Sequence, residues 1–194
     1  MTVLAIDTSA RSGGFALARG ERILASLAVE APEGLAAALF PSIERLLADA
    51  GVALAEVDGF AALAGPGSFT GVRVGLAAAK ALAEIGGKPV AAISNLEAIA
   101  FHGEGPRRAA LAPGRGGEVF GAVFDAAMRP LLSERIEPAA EFAERAAAYE
   151  PEWLAADEAV FELLGLPADA LRKLAGALAE AAALLAAGRF ARGQ

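Results

Sequence analysis

Cysteine is absent from this 194-residue chain, and histidine occurs once, at His102. The first absence excludes disulfides, thiolate zinc sites and a cysteine nucleophile. The second excludes a His-x-x-x-His metal pair and every multi-histidine centre. A Ser–His–acid triad would have to draw on His102, beside Gly103 in a stretch that reads as a linker. Long apolar runs are also missing. Hydrophobic residues make up 56% of the chain, yet no unbroken run approaches the ~20 residues that span a bilayer. The first seven residues, Met1-Thr-Val-Leu-Ala-Ile-Asp7, carry no basic segment and meet an acid at once, unlike a signal peptide. A cytoplasmic protein with no membrane partner is expected. Positive charge is in deficit as well: the formal net charge is −7, whereas a nucleic-acid grip needs basic surface. Arg107, Arg108 and Arg115 form one modest basic cluster, read as solvated loop charge.

What remains is a chain long enough to bury a substantial core, as one large domain or two small ones. The first third reads β-β-β-α. Val3–Ile6 is a short apolar run suited to a buried central strand. Phe15–Ala18 and Ile23–Val29 flank Arg19-Gly20-Glu21-Arg22, a hairpin turn. Leu35, Leu39, Ile43, Leu46 and Leu47 recur at helical spacing over 34–50. Val57–Leu63 returns to strand, followed by a glycine-rich loop and a helix over 71–86. Gly86-Gly87-Lys88-Pro89 ends that helix, Val90–Ile93 is a further strand, and a short helix runs from Asn95 to Phe101. Gly103-Glu104-Gly105-Pro106 is the best linker, which divides the chain into 1–103 and 104–194. Beyond it, 109–112 and 118–124 read as strands, 131–136 as an edge strand, and 139–148 and 169–187 as helices. Leu171, Leu174, Leu178 and Leu185 give the last helix its apolar stripe. This order of elements fits an α/β protein with mixed sheets.

The most informative stretch is Ala64-Gly-Pro-Gly-Ser-Phe-Thr-Gly-Val-Arg-Val-Gly75. It leaves a strand, turns through glycines and opens a helix, a placement that can present backbone N–H groups to an anion. Its spacing misses the dinucleotide fingerprint, because the third glycine falls one residue late and no acid follows at the next strand's end. A Walker loop would enter the helix with Gly-Lys-Ser/Thr; here Thr70-Gly71-Val72 enters. Asp7-Thr8-Ser9, after the first strand, has two readings. One is a site for hydrated magnesium beside phosphates; the other is an Asx or Ser/Thr turn that caps the strand. Gly71, Gly75 and Ala79 recur every four residues and flatten one helix face. Glycine within a helix costs ~1 kcal/mol relative to alanine, so Gly75 calls for a close neighbour. That neighbour is either another backbone or ligand, or a packed surface of the same domain. Glu118, in Gly116-Gly-Glu-Val-Phe120, is read as an exposed strand-end charge rather than a general base.

Ile6-Asp7-Thr8-Ser9, Gly65-Pro-Gly-Ser-Phe-Thr-Gly-Val-Arg-Val-Gly75, Ala79-Lys80-Ala81-Leu82-Ala83 and Gly117-Glu118-Val119-Phe120 together resemble the TsaB (YeaZ) family of bacterial tRNA threonylcarbamoyladenosine biosynthesis. The match runs in order through roughly residues 1–125, and the remainder resembles the family only in outline. The resemblance implies an actin/Hsp70/sugar-kinase-like (ribonuclease H-like) fold of two related lobes with mixed sheets flanked by helices, the second lobe reduced. Such proteins are non-catalytic paralogues of TsaD, the subunit that transfers the threonylcarbamoyl group to adenosine 37 of tRNA. TsaD carries a metal-binding His-x-x-x-His pair, which one histidine cannot supply. The resemblance implies pairing through the first-lobe helices, as a homodimer alone and as a heterodimer with TsaD, with the ATPase TsaE joining the assembly. Carried onto this sequence, the pairing surface comprises Leu39, Ile43, Gly71, Arg73, Gly75, Ala78, Ala79 and Leu82. Asp7, Thr8, Ser9, Gly65, Gly67, Ser68 and Thr70 line a vestigial nucleotide cleft, so ATP or ADP belongs to the complex and the isolated chain needs no cofactor. Contact with tRNA is indirect. On this reading, arginine at Gly75 disrupts dimerisation and leaves the monomer folded.

Three departures stand out. Pro113-Gly-Arg-Gly-Gly-Glu-Val-Phe120 lacks the aspartate of the family's Asp-Ala-Arg-x-Gly-Glu-Val-Tyr. Leu35 occupies the place of a histidine common early in the first long helix. The Pro-x-Tyr-Leu-Arg ending is absent. Two other functions compete with a scaffold: a small ATP-dependent phosphotransferase of the same superfamily, and a housekeeping homodimer unconnected with tRNA.

Overall fold

A computed structural model describes residues 1–10, 12–30, 35–166, 171–173 and 178–194 of the chain. They fall into two compact units, residues 1–95 with 177–194, and residues 96–176.

In unit 1, β1 (Thr2–Asp7), β2 (Ser12–Arg19) and β3 (Arg22–Glu30) form an antiparallel meander. α1 (Leu35–Ala50), β4 (Gly59–Leu63), α2 (Phe69–Gly86) and β5 (Val90–Ile93) follow. β4 pairs parallel to both β1 and β5, so the five-stranded sheet runs β3-β2-β1-β4-β5. All six residues of β1 are buried, as a strand covered on both faces requires. Leu4 and Ile6 join Phe15, Leu17, Leu39, Ile43, Leu46 and Ala79 in one core, beneath α1 and α2. Alternate residues point to opposite faces of a strand, so Val3 and Ala5 face the other way. There the last helix, α6 (Leu178–Ala191), packs on β1, β2 and β4. Its Phe190 lies over Gly59, where an added Cβ would stand 2.7 Å from the ring.

Unit 2 begins with α3, whose span Asn95–Phe101 starts on the last residue of unit 1. β6 (Arg107–Pro113), β7 (Glu118–Asp125), β8 (Pro130–Pro138), α4 (Ala139–Ala147), β9 (Glu152–Ala155), α5 (Ala159–Leu164) and β10 (Leu171–Lys173) follow. The sheet runs β10-β9-β6-β7-β8, with the antiparallel pairs β6–β7 and β7–β8 and the parallel pairs β6–β9 and β9–β10. This repeats the topology of unit 1 strand for strand. Each unit is a mixed sheet in which one helix follows the third strand and another follows the fourth. The second unit is reduced: α4 and α5 have 9 and 6 residues where α1 and α2 have 16 and 18. Its core centres on Leu111, Val123, Phe142 and Trp153, the last two meeting edge to face at 6.4 Å.

Four expectations change. α2 begins at Phe69 rather than residue 71, because Ser68 caps it. The helix read over 169–187 is instead β10 and then α6, separated by residues outside those described, and Leu174 is among the latter. Leu171 pairs with Trp153 across parallel strands, so the four-leucine stripe is not one helix. β9 and α5 were not anticipated, since Trp153-Leu-Ala155 is too short an apolar run to show a period. The Gly103–Pro106 stretch, read as a linker, is built into unit 2. The Glu152 carboxylate accepts from the Glu104 and Gly105 amides at 2.7 Å each, and a Cβ on Gly103 would collide with Arg108 and Leu154.

Candidate functional site

The parallel strands β1, β4 and β5 end on one side of their sheet, and three segments converge there: Asp7–Ser9, the loop 64–68 and Asn95. The loop lies directly on the end of β1. The Ser68 amide donates to the Ser9 carbonyl at 2.6 Å. A Cβ on Gly67 would stand 2.5 Å from that same oxygen, and one on Gly71 would run into the Thr8 carbonyl. The Thr8 hydroxyl donates to the Gly71 carbonyl at 2.7 Å. Ser68 Oγ accepts from the Gly71 amide at 3.3 Å and so caps α2, as short polar side chains do at helix starts.

Gly75 faces the same strand. A Cβ there would stand 2.5 Å from Thr8 Oγ1 and 3.6 Å from Ile6 Cγ2. Of the two neighbours that the glycine pattern allowed, the structure supplies the one inside the same unit. Gly71 and Gly75 are small so that α2 can lie against β1.

Behind the loop runs a connected hydrogen-bond chain. The Gly65 amide donates to Asn95 Oδ1 at 2.9 Å, Asn95 Nδ2 donates to Ser9 Oγ at 2.7 Å, and Ser9 Oγ donates to Asp7 Oδ1 at 2.6 Å. The Ser9 amide adds a bond to Asp7 Oδ1 at 2.9 Å. Burial raises the Asp7 pKa above the usual carboxylate range, and the side-chain and backbone bonds from Ser9 oppose the rise. Asn95 is a site residue that the motif reading passed over. Its one available signal was position: a polar side chain just past a parallel strand's C-terminal end, where ligand and loop contacts gather in open α/β sheets.

The seven residues assigned to a nucleotide cleft are thus neighbours, and their surroundings limit what they can hold. Asp7, Thr8 and Ser9 are buried. The amides of Gly65, Ser68 and Gly71 already have partners within the chain, whereas a phosphate cradle needs such donors aimed at the ligand. Ser68 and Thr70 are exposed at the start of α2. Among the described residues, no group of three or more His, Cys, Asp or Glu side chains could hold a metal ion.

The eight residues assigned to a partner surface need correction. Leu39 and Ile43 are 2% and 3% exposed in the core of unit 1, and Ala79 is fully buried. Gly75 and Ala78 are buried as well, and Leu82 packs against the same core. Arg73 alone of the eight is exposed, with its guanidinium 3.8 Å from the centre of the Phe69 ring. The helical period identified the apolar faces of α1 and α2, and those faces close the unit's own core. The outward faces are different. On α2 they carry Phe69, 70% exposed, and Ile85, 86% exposed; on α1 they carry Phe40, 55% exposed.

The sequence model of the family described as "TsaD: tRNA N6-adenosine threonylcarbamoyltransferase" matches residues 30–186. The chain is 37% identical over 103 residues to the tRNA threonylcarbamoyladenosine biosynthesis protein TsaB of Bacillus subtilis (strain 168), covering 53% of this chain and 45% of that one. It spans less than half the length of the curated relatives it matches. The solved structure of YeaZ from Pseudomonas aeruginosa superposes with a TM-score of 0.83 at 32% identity, covering 99% of this chain and 93% of that one. An activator of 2-hydroxyisocaproyl-CoA dehydratase from Clostridium difficile, solved with bound ADPNP, superposes with a TM-score of 0.56 at 12% identity. The two chains are covered to 100% and 97%. At that identity the likeness is one of fold alone.

Proposed function

We propose, from the premise that this chain belongs to the TsaB/YeaZ family, that it is a non-catalytic subunit of the tRNA N6-threonylcarbamoyladenosine synthase. It docks on a TsaD-type transferase through the outer faces of α1 and α2 and stabilises the active partner. The observation that supports the reading is the exposure of a large apolar side chain on α1, Phe40, and of two on α2, Phe69 and Ile85. A large apolar side chain left in water contributes to binding only when another surface covers it. A chain with one histidine and no cysteine supports the division of labour, with metal and group transfer on the partner. Alone, the same faces pair two copies of this chain. A TsaE-type ATPase joins the assembly, ATP or ADP acts there rather than in this chain, and tRNA reaches the partner. The cytoplasm is the compartment of the reaction.

The test is reconstitution of tRNA modification from purified TsaD-type and TsaE-type proteins, threonylcarbamoyl donor and tRNA, with and without this chain. Modification is expected to fall at least tenfold without it. Undiminished modification in its absence overturns the scaffold reading. Tight magnesium–ATP binding by the isolated chain would instead favour the phosphotransferase.

A further inference from the structure

We infer that Asn95 is a positioning residue for docking: by tying Gly65 to Ser9 it sets the first turn of α2 and so the placement of Phe69 and Arg73. The inference rests on the docking face proposed above.

Asn95 is only 5% exposed, so its effect on a partner must pass through the loop. Its side chain bridges two segments, accepting from the Gly65 amide at 2.9 Å and donating to Ser9 Oγ at 2.7 Å. A second bridge runs alongside, from the Asn95 amide to the Gly65 carbonyl at 2.8 Å. The side-chain chain has one direction. Each donor passes to the next acceptor, and the last, Ser9 Oγ, donates to the Asp7 carboxylate at 2.6 Å. Such chains strengthen cooperatively in a buried setting. Asparagine suits the middle because one planar amide offers an acceptor and a donor on opposite atoms.

At its far end the loop is held by the Ser68 amide on the Ser9 carbonyl, at 2.6 Å. Both anchors therefore converge on Ser9, and only Pro66 and Gly67 lie between Gly65 and Ser68. Ser68 is the cap of α2, so the direction in which the helix starts is inherited from these anchors. Phe69 is the next residue, with Arg73 one turn on and stacked over its ring.

The experiment measures the affinity of the full chain for a purified TsaD-type subunit, with amide hydrogen exchange of the free chain. Asn95→Ala is expected to weaken binding on the order of tenfold. Exchange should quicken at residues 68–73 and stay unchanged in β1 and β4, which a general loss of stability would not produce. The double variant Phe69→Ala/Asn95→Ala should bind no more weakly than Phe69→Ala alone, as two changes acting through one contact do. If Asn95→Ala does not fold, Asn95→Asp replaces it, keeping the acceptor for Gly65 and losing the donor to Ser9. Unchanged affinity in the Asn95 variant, or losses that multiply in the double variant, overturn the positioning role. Unchanged affinity in Phe69→Ala removes the docking face itself, which separates failure of the two readings.

Discussion

Asp7 Oδ1 accepts hydrogen bonds from the Ser9 amide and hydroxyl, and burial still holds its pKa above the ordinary value. A carboxylate whose pKa is raised on folding adds stability at low pH, fully below its unfolded pKa. That contribution is lost as pH rises through the higher folded pKa. At neutral pH that contribution is reduced or gone, so the carboxyl favours the fold less than it does in acid. Asn at this position keeps an acceptor for Ser9 and removes the charge. Asp7→Asn is expected to melt above the wild type at pH 7, with the two curves converging below about pH 4. Thermal denaturation across pH 3–8 checks this, and a gap that does not narrow with acid would contradict it. The residue was legible in the sequence as important, with magnesium ligand and turn cap both open. Its bonds to Ser9 are those of the turn. Asn95 was not legible as its indirect partner, because a contact across 86 positions leaves no trace in spacing.

At the scale of elements, α2 shows how a correct pattern can mislead about its purpose. The four-residue recurrence of Gly71, Gly75 and Ala79 predicted a close-packed face, and the face is close-packed, against β1 rather than a second chain. The consequence reverses an expectation. Gly75→Arg would drive a side chain toward Thr8 Oγ1, which a Cβ alone would meet at 2.5 Å. Overpacking of this kind costs about 1–3 kcal/mol, and a charged group beside β1 adds to it. The variant is expected to lose more than about 2 kcal/mol of unfolding free energy, read by urea denaturation of the isolated chain. An unchanged midpoint together with lost pairing would restore the face to a partner. Elements with a long period or a clear turn were readable in advance: α1, α2, the β2–β3 hairpin and the edge strand β8. Where alanine fills both faces, as in α6, the pattern carries little amphipathic signal, and the helix was read over 169–187 instead of Leu178–Ala191.

Over the whole chain the charge is uneven. Between residues 96 and 176 acids outnumber bases fourteen to eight, and elsewhere they stand ten to nine. Phosphate contacts release counterions and make binding fall steeply with salt, and neither unit has the basic excess to drive this. The isolated chain is expected to show no binding to tRNA at micromolar concentration by fluorescence anisotropy. Affinity that drops tenfold or more between about 50 and 200 mM salt would place an RNA surface on it after all. The order of strands and helices as far as α4, the family and the lack of a histidine pair were present in composition, local periodicity and one long motif, none of which needs the fold to be known. The packing of α6 on the first sheet, the seating of Gly71 and Gly75 against the end of β1, the Gly65–Asn95–Ser9–Asp7 chain and the exposure of Phe40, Phe69 and Ile85 depend on which distant segments meet. Periodicity reports that a face is apolar, but folding determines which surface covers it.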